Sequence, residues 1–141
     1  MRVSFEVPGA PRGKGRPRFA RRGNFVSTHT DAKTASYENL IKLAASAAMR
    51  DRLPISSPCW IEIVSYVPIP KSFSKKKHSF AAASTLRPTT KPDLDNVVKI
   101  VCDALNNVVY DDDKLIISMI AEKYYDERPR LEISVETIEE R

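Results

Sequence analysis

An α+β fold, a small mixed β-sheet packed with two main helices, is predicted by three features of the chain. Alternating or β-branched runs suited to strands occur near both ends and in the middle. Two longer segments carry a helical apolar period. Their order along the chain is β, α, β, α, β, β, which mixes strands and helices without the strict alternation of a parallel α/β fold.

Val3-Ser4-Phe5-Glu6-Val7 alternates apolar and polar residues and reads as a strand ended by Pro8-Gly9. Residues 8–23, rich in Gly, Pro and Arg, read as a loop, and residues 24–27 suit a short strand. His29-Thr30-Asp31 supplies capping side chains for a helix at about 31–50. Tyr37, Leu40, Ile41, Ala44, Ala45 and Ala48 share its apolar face. Residues 59–67, β-branched and aromatic, form a strand stopped by Pro68 and Pro70. Residues 71–91 read as a long mobile basic loop, of the length that is usually functional or disordered. A second helix spans about 93–107, and two strands follow at about 114–124 and 130–137, joined by a turn near 126–129.

The 141 residues suit one domain, 1–141, with no internal repeat. The start, M-R-V-S-F-E-V-P, lacks the apolar core of a signal peptide, and no apolar run is long enough to span a membrane. A cytoplasmic protein is expected. Cys59 and Cys102 sit singly in apolar stretches and read as buried, reduced thiols. The net charge of +5 is unevenly divided. Residues 1–91 hold 17 Lys/Arg against 5 Asp/Glu, a surplus of +12, whereas residues 92–141 hold 6 against 13, or −7. A basic portion joined to an acidic one suits a polyanion-binding surface beside a cation site, or else two solvated faces with internal salt bridges.

Residues 91–113 carry most of the chemistry: K-P-D-L-D-N-V-V-K-I-V-C-D-A-L-N-N-V-V-Y-D-D-D. On a helix, Val97, Val98, Val101, Ala104 and Leu105 make an apolar arc, while Asp95, Lys99 and Asp103 stand on the opposite side. Pro92 suits a first turn, which leaves Asp93 and Asp95 at the helix start, where the dipole favours negative charge. Such aspartates are often only caps. Asp111-Asp112-Asp113, however, lies between Val108-Val109-Tyr110 and Leu115-Ile116-Ile117, so it is a tight connection at the mouth of a strand. A short return from the helix can bring Asp112 back towards the helix, which would gather at least three carboxylates. Like charges at 4 Å repel by about 4 kcal/mol at an effective dielectric near 20. The cluster therefore calls for protons, a cation or Lys/Arg partners. Oxygen ligands without His or Cys select Mg²⁺ or Mn²⁺, with Ca²⁺ as a further choice, over zinc. No EF-hand pattern is present. Lys99 suits either an i,i+4 ion pair with Asp95 or charge stabilisation on a phosphoryl group.

The segment P-R-G-K-G-R-P-R-F-A-R-R at 11–22 places Arg12, Lys14, Arg16, Arg18, Arg21 and Arg22 together with no acid among them. Gly13 and Gly15 allow close backbone approach, and Phe19 is available to stack. Such a basic arm neutralises phosphates without reading sequence. Lys75, Lys76, Lys77 and Lys91 extend the DNA footprint or are simply solvated.

K-P-D-L-D-N-V-V-K, then D-A-L-N, then V-Y-D-D-D, resembles the RusA family of Holliday junction resolvases. The opening P-G-x-P-x-x-K-x-R-P-R and the segment P-I-P-K-S-F-S-K-K-K are also similar to the family, so the likeness covers nearly the whole chain. The resemblance implies a RusA-like α+β homodimer, bacterial, phage or prophage encoded, that cuts four-way DNA junctions in recombination and repair. It implies metal ligation by Asp93 and Asp95, a catalytic role for Lys99, and a third essential acid at Asp112. Asp111 or Asp113 is the alternative in that run. Mg²⁺ is the implied cofactor, with Mn²⁺ as substitute and no organic cofactor. One metal would activate the attacking water and a second the leaving 3′ oxygen. Two readings stand beside this one: a less selective nuclease of branched DNA, and a non-catalytic DNA-binding protein with a structural cation.

Overall fold

The computed structural model describes the backbone of residues 1–15, 18–22, 25–29 and 32–139, and the side chains of residues 1–15 and 32–139. The elements in chain order are β1 (Arg2–Pro8), β2 (Arg18–Arg22), β3 (Phe25–His29), α1 (Ala32–Met49), β4 (Cys59–Pro68), α2 (Lys75–Ala82) and α3 (Leu94–Leu105). A single 3₁₀ turn (Asp113–Leu115), β5 (Ile116–Asp126) and β6 (Arg130–Thr137) complete the chain. The predicted α+β architecture is present.

Four strands form one mixed sheet in the order β1-β6-β4-β5. β6 pairs antiparallel with both β1 and β4, and β4 pairs parallel with β5. Parallel neighbours need a long crossover, and here it carries α2 and α3. Strict alternation in β4 buries Cys59, Ile61, Ile63, Ser65 and Val67 on one face. Leu131, Ile133 and Val135 of β6 and Val3 and Val7 of β1 join the same core, against which α1 and α3 pack. A smaller cluster of Val67, Ala81 and Tyr125 holds α2 to the sheet. Among the described residues, no helix is long and apolar enough to cross a membrane.

Three expectations need correction. The loop placed at 71–91 contains α2. Ser74 caps that helix by accepting a hydrogen bond from the Lys77 N–H at 3.2 Å. Phe73 meets Tyr125 edge-on at 5.7 Å and fixes its start. A lysine run hides this helix from a periodicity argument, although lysine itself favours helix. The loop placed at 8–23 contains β2, which pairs with β3 from Arg18↔His29 to Arg22↔Phe25. Among the described residues the short α2 thus joins the two main helices, α1 and α3. On α1, Leu40 is 41% exposed, because the buried positions are Thr34, Tyr37, Ile41, Ala45 and Met49. Leu40 lies about 100° away from Ile41 around the axis. The capping residues 30 and 31 lie outside the described residues.

Candidate active site

Asp93 is the N-cap of α3, in extended conformation (φ −64°, ψ 138°), yet its side chain makes no capping hydrogen bond. Its backbone carbonyl starts the helix by accepting from the N–H groups of Asn96 and Val97, each at 3.1 Å. The carboxylate therefore stands at the positive end of the helix dipole without serving the orphan donors there. Pro92 precedes the cap, after a cis peptide bond with Lys91, and so lies outside the first turn where the sequence reading put it. Asp95 is exposed in the first turn, and Lys99 is exposed one turn later. Val97, Ile100, Val101, Ala104 and Leu105 bury the opposite side and hold the helix rotation.

The acidic run is anchored from both ends. Val109 and Tyr110 are fully buried. Ile55 N–H donates to the Val109 carbonyl at 2.8 Å, and Asp111 N–H donates to the Ile55 carbonyl at 2.9 Å. Tyr110 OH donates to the Cys102 carbonyl at 2.8 Å, near the end of α3, where the helix itself runs out of donors. Asn106, the C-cap of α3, accepts the Asp113 N–H on its side-chain oxygen at 2.9 Å. Sequence reasoning passed over Asn106 and Tyr110. Their signal was a polar residue and an aromatic bracketing the short return. Asp112 Oδ1 accepts the Lys114 N–H at 2.8 Å, so Asp112 caps the 3₁₀ turn.

The basic arm docks on α3. Lys14 N–H donates to the Asn96 carbonyl at 2.9 Å. A Cβ added to Gly13 would stand 2.7 Å from the Asn96 Cβ, so this approach requires glycine. The Lys14 ammonium lies 2.6 Å from Glu38 on α1 and 3.3 Å from Asp103 on α3. Burial pulls its pKa down, but Glu38 and then Asp103 outweigh that and hold it above the ordinary lysine value. Lys14 thus ties the arm to both helices, unlike the exposed Arg12 and Lys91. Those two residues and Asp93 line one open cleft of about 670 Å³. Arg18, Arg21 and Arg22 lie on β2, with side chains outside the description, and Arg16 lies outside the described residues. Lys75, Lys76 and Lys77 form the exposed first turn of α2, with Lys77 Nζ 4.3 Å above the Phe73 ring.

Among the described residues, no three His, Cys, Asp or Glu side chains stand close enough to hold a metal ion. The close gathering of Asp93, Asp95 and Asp112 expected from the sequence is therefore not formed in the chain as it stands. Asp112 is turned into its own 3₁₀ cap. The donor chemistry still fits a hard cation: three exposed carboxylates, one of them at a helix start yet unused as a cap.

Residues 8–136 match the family described as Endodeoxyribonuclease RusA. The chain belongs to the RusA endodeoxyribonuclease family. The RusA match takes in the docked arm from Pro8, α2, α3, the acidic turn and most of β6. The chain is also 38% identical over 138 residues to the "Uncharacterized protein YqaN" of Bacillus subtilis (strain 168), covering 96% of each. Both matches span the cleft and the acidic turn together. The RusA fold therefore frames every described residue of the site.

Proposed function

We propose that this protein is a Holliday junction resolvase, a homodimeric Mg²⁺-dependent endonuclease that cuts four-way DNA junctions in recombination and repair. The observation that carries the reading is Asp93, a helix-start carboxylate that makes no cap and opens into a cleft shared with the basic arm. Family membership supplies the endodeoxyribonuclease class.

In this reading Asp93, Asp95 and Asp112 would hold Mg²⁺, with Mn²⁺ as substitute. A bound divalent cation supplies an acidified water and neutralises charge on the reacting phosphate. Lys99 faces the scissile phosphate and offsets the charge that builds there. Arg12 and Lys91 seat the phosphate backbone across the cleft. The arm's Arg16, Arg18, Arg21 and Arg22, with Lys75, Lys76 and Lys77 on α2, extend that footprint without reading bases. Lys14, tied to Glu38 and Asp103, holds the arm in place. Asn106 and Tyr110 hold the acidic turn. Two copies related by a two-fold axis match the two cuts that resolve a junction.

The test is a comparison of Mg²⁺-dependent cleavage rates on a synthetic mobile four-way junction, a flap, a Y-fork and linear duplex. The junction is expected to be cut fastest, at opposed positions on two strands. Equal rates on all branched substrates would leave an endonuclease and remove the resolvase assignment. Binding without cleavage in either metal would remove catalysis.

A further inference from the structure

On its way from α2 to Asp93 the chain crosses the edge of the sheet at β5 and is fastened there on both faces. The register with β4 pairs Lys123 with Ser65 and Tyr124 with Tyr66. Ser65 lies on the buried face of β4, so Lys123 points towards the helices and Tyr124 towards the opposite face. On that opposite face the Arg87 guanidinium carbon lies 3.7 Å from the centre of the Tyr124 ring, and Arg87 pairs with Glu122 at 3.5 Å. Arg87 Nε also donates to the Lys123 carbonyl at 2.7 Å. On the helix face the Lys123 ammonium donates to the Thr90 carbonyl at 2.6 Å. Lys123 therefore takes part in both fastenings, once through its carbonyl and once through its side chain. Among the described residues its ammonium pairs with no carboxylate, although Glu122 is its neighbour in the chain.

Thr90 stands three residues before Asp93. Upstream, the chain is anchored to α2, where the Thr85 and Leu86 N–H groups donate to the Phe80 carbonyl at 3.0 and 3.1 Å. Downstream, α3 begins at its N-cap, Asp93. Between these anchors, among the described residues, Lys123 is the one hydrogen-bond partner of the backbone from Pro88 to Pro92. Lys91, Pro92 and Asp93 then line the open cleft. The Asp93 carboxylate makes no capping bond that would fix it from within the helix. Its place depends instead on how the preceding stretch enters the cleft, and the bond to Thr90 acts on that stretch. We infer that Lys123 is a positioning residue for the candidate metal site: its ammonium holds the Thr90 carbonyl and so sets where Asp93 presents its carboxylate to a divalent cation. A bond from a charged donor is shorter and stronger than a neutral one, which suits it to fixing a single strand of backbone. The inference rests on the reading of Asp93 as a metal ligand and adds to it a residue that does not itself line the cleft.

The test is Mn²⁺ affinity without DNA, measured by titration calorimetry on the full chain. Lys123→Met keeps an unbranched side chain and removes the ammonium. It is expected to weaken Mn²⁺ binding by about 10-fold, the scale on which contacts behind a metal ligand usually act. Loss of a positive charge by itself would strengthen cation binding, so a weakening cannot come from net charge. Lys123→Arg still donates to the Thr90 carbonyl and is expected to stay within about twofold of wild type. Arg87→Met opens the other half of the fastening and is expected to weaken Mn²⁺ binding in the same direction. Far-ultraviolet circular dichroism of all three variants is expected to match wild type. In cleavage, the Mg²⁺ concentration for half-maximal rate is expected to rise with Lys123→Met by the same factor, with junction affinity unchanged. Wild-type Mn²⁺ affinity in both Lys123→Met and Arg87→Met overturns the inference and leaves the reading of Asp93 intact. Equal weakening by Lys123→Met and Lys123→Arg also overturns it, since the donated bond is then not what matters. Mn²⁺ binding that is absent in wild type, or unchanged by Asp93→Asn, overturns the metal reading of Asp93 and this inference with it.

Discussion

Replacing Lys14 by Met removes the cation that, among the described residues, joins the arm to α1 and α3, and the size of its effect follows from the geometry. The ammonium contacts Glu38 at 2.6 Å and Asp103 at 3.3 Å, with its side chain 21% exposed. At an effective dielectric near 20, each contact is worth roughly 5–6 kcal/mol in gross Coulomb attraction. Desolvating three charged groups and fixing a lysine side chain, the latter costing up to about 2 kcal/mol, offset most of that. What remains is about 1.5–3 kcal/mol, the usual worth of hydrogen bonds to charged groups. Lys14→Met should cost that much in urea unfolding, because it also leaves two partly buried carboxylates without their cation. A double-mutant cycle with Glu38→Gln should show a coupling of about 1 kcal/mol or more. A coupling below about 0.3 kcal/mol would refute the argument that Lys14 is a structural clamp. The pH dependence has a definite sign. The folded pKa of Lys14 lies above its ordinary value of 10.5, so its contribution is fully present below that pH. It is lost as pH rises through the higher folded value.

Three further outcomes follow from the same contacts. Gly13→Ala should destabilise the protein by about 1–3 kcal/mol in denaturant titration, since its Cβ would collide with Asn96. Tyr110→Phe should cost about 1 kcal/mol by leaving the Cys102 carbonyl without its donor, with the fold retained by circular dichroism. Asn106→Ala should reduce cleavage far more than global stability, because it frees the Asp113 N–H and loosens the turn that carries Asp112. Junction affinity measured in parallel should be largely preserved.

Periodicity made the frame legible. The alternation in β1, the β-branched and aromatic run of β4 and the apolar arc of α3 are facts about local sequence, and tertiary packing had only to accept them. α2 was not legible, because its lysines say nothing about which side is buried. It is fixed by Ser74 as a cap and by Ala81 and Phe73 against Tyr125 and Val67, contacts that arise only once β4 and β5 are side by side. The candidate site divides in the same way. Asp93, Asp95 and Lys99 sit at one end of a helix and could be placed from sequence. Whether Asp93 spends its carboxylate on the cap could not, because a cap and a ligand have the same spelling. Lys14 read as one more phosphate contact among six basic residues, since its partners Glu38 and Asp103 are far away along the chain.

The most direct measurement is cleavage of an end-labelled four-way junction by wild type and Asp93→Asn in Mg²⁺, with junction binding measured beside it. The account predicts retained binding and cleavage lost to background in the variant, because the substitution keeps the shape of the helix start and removes only its charge. Cleavage by Asp93→Asn at the wild-type rate would contradict the assignment of Asp93 to the catalytic centre.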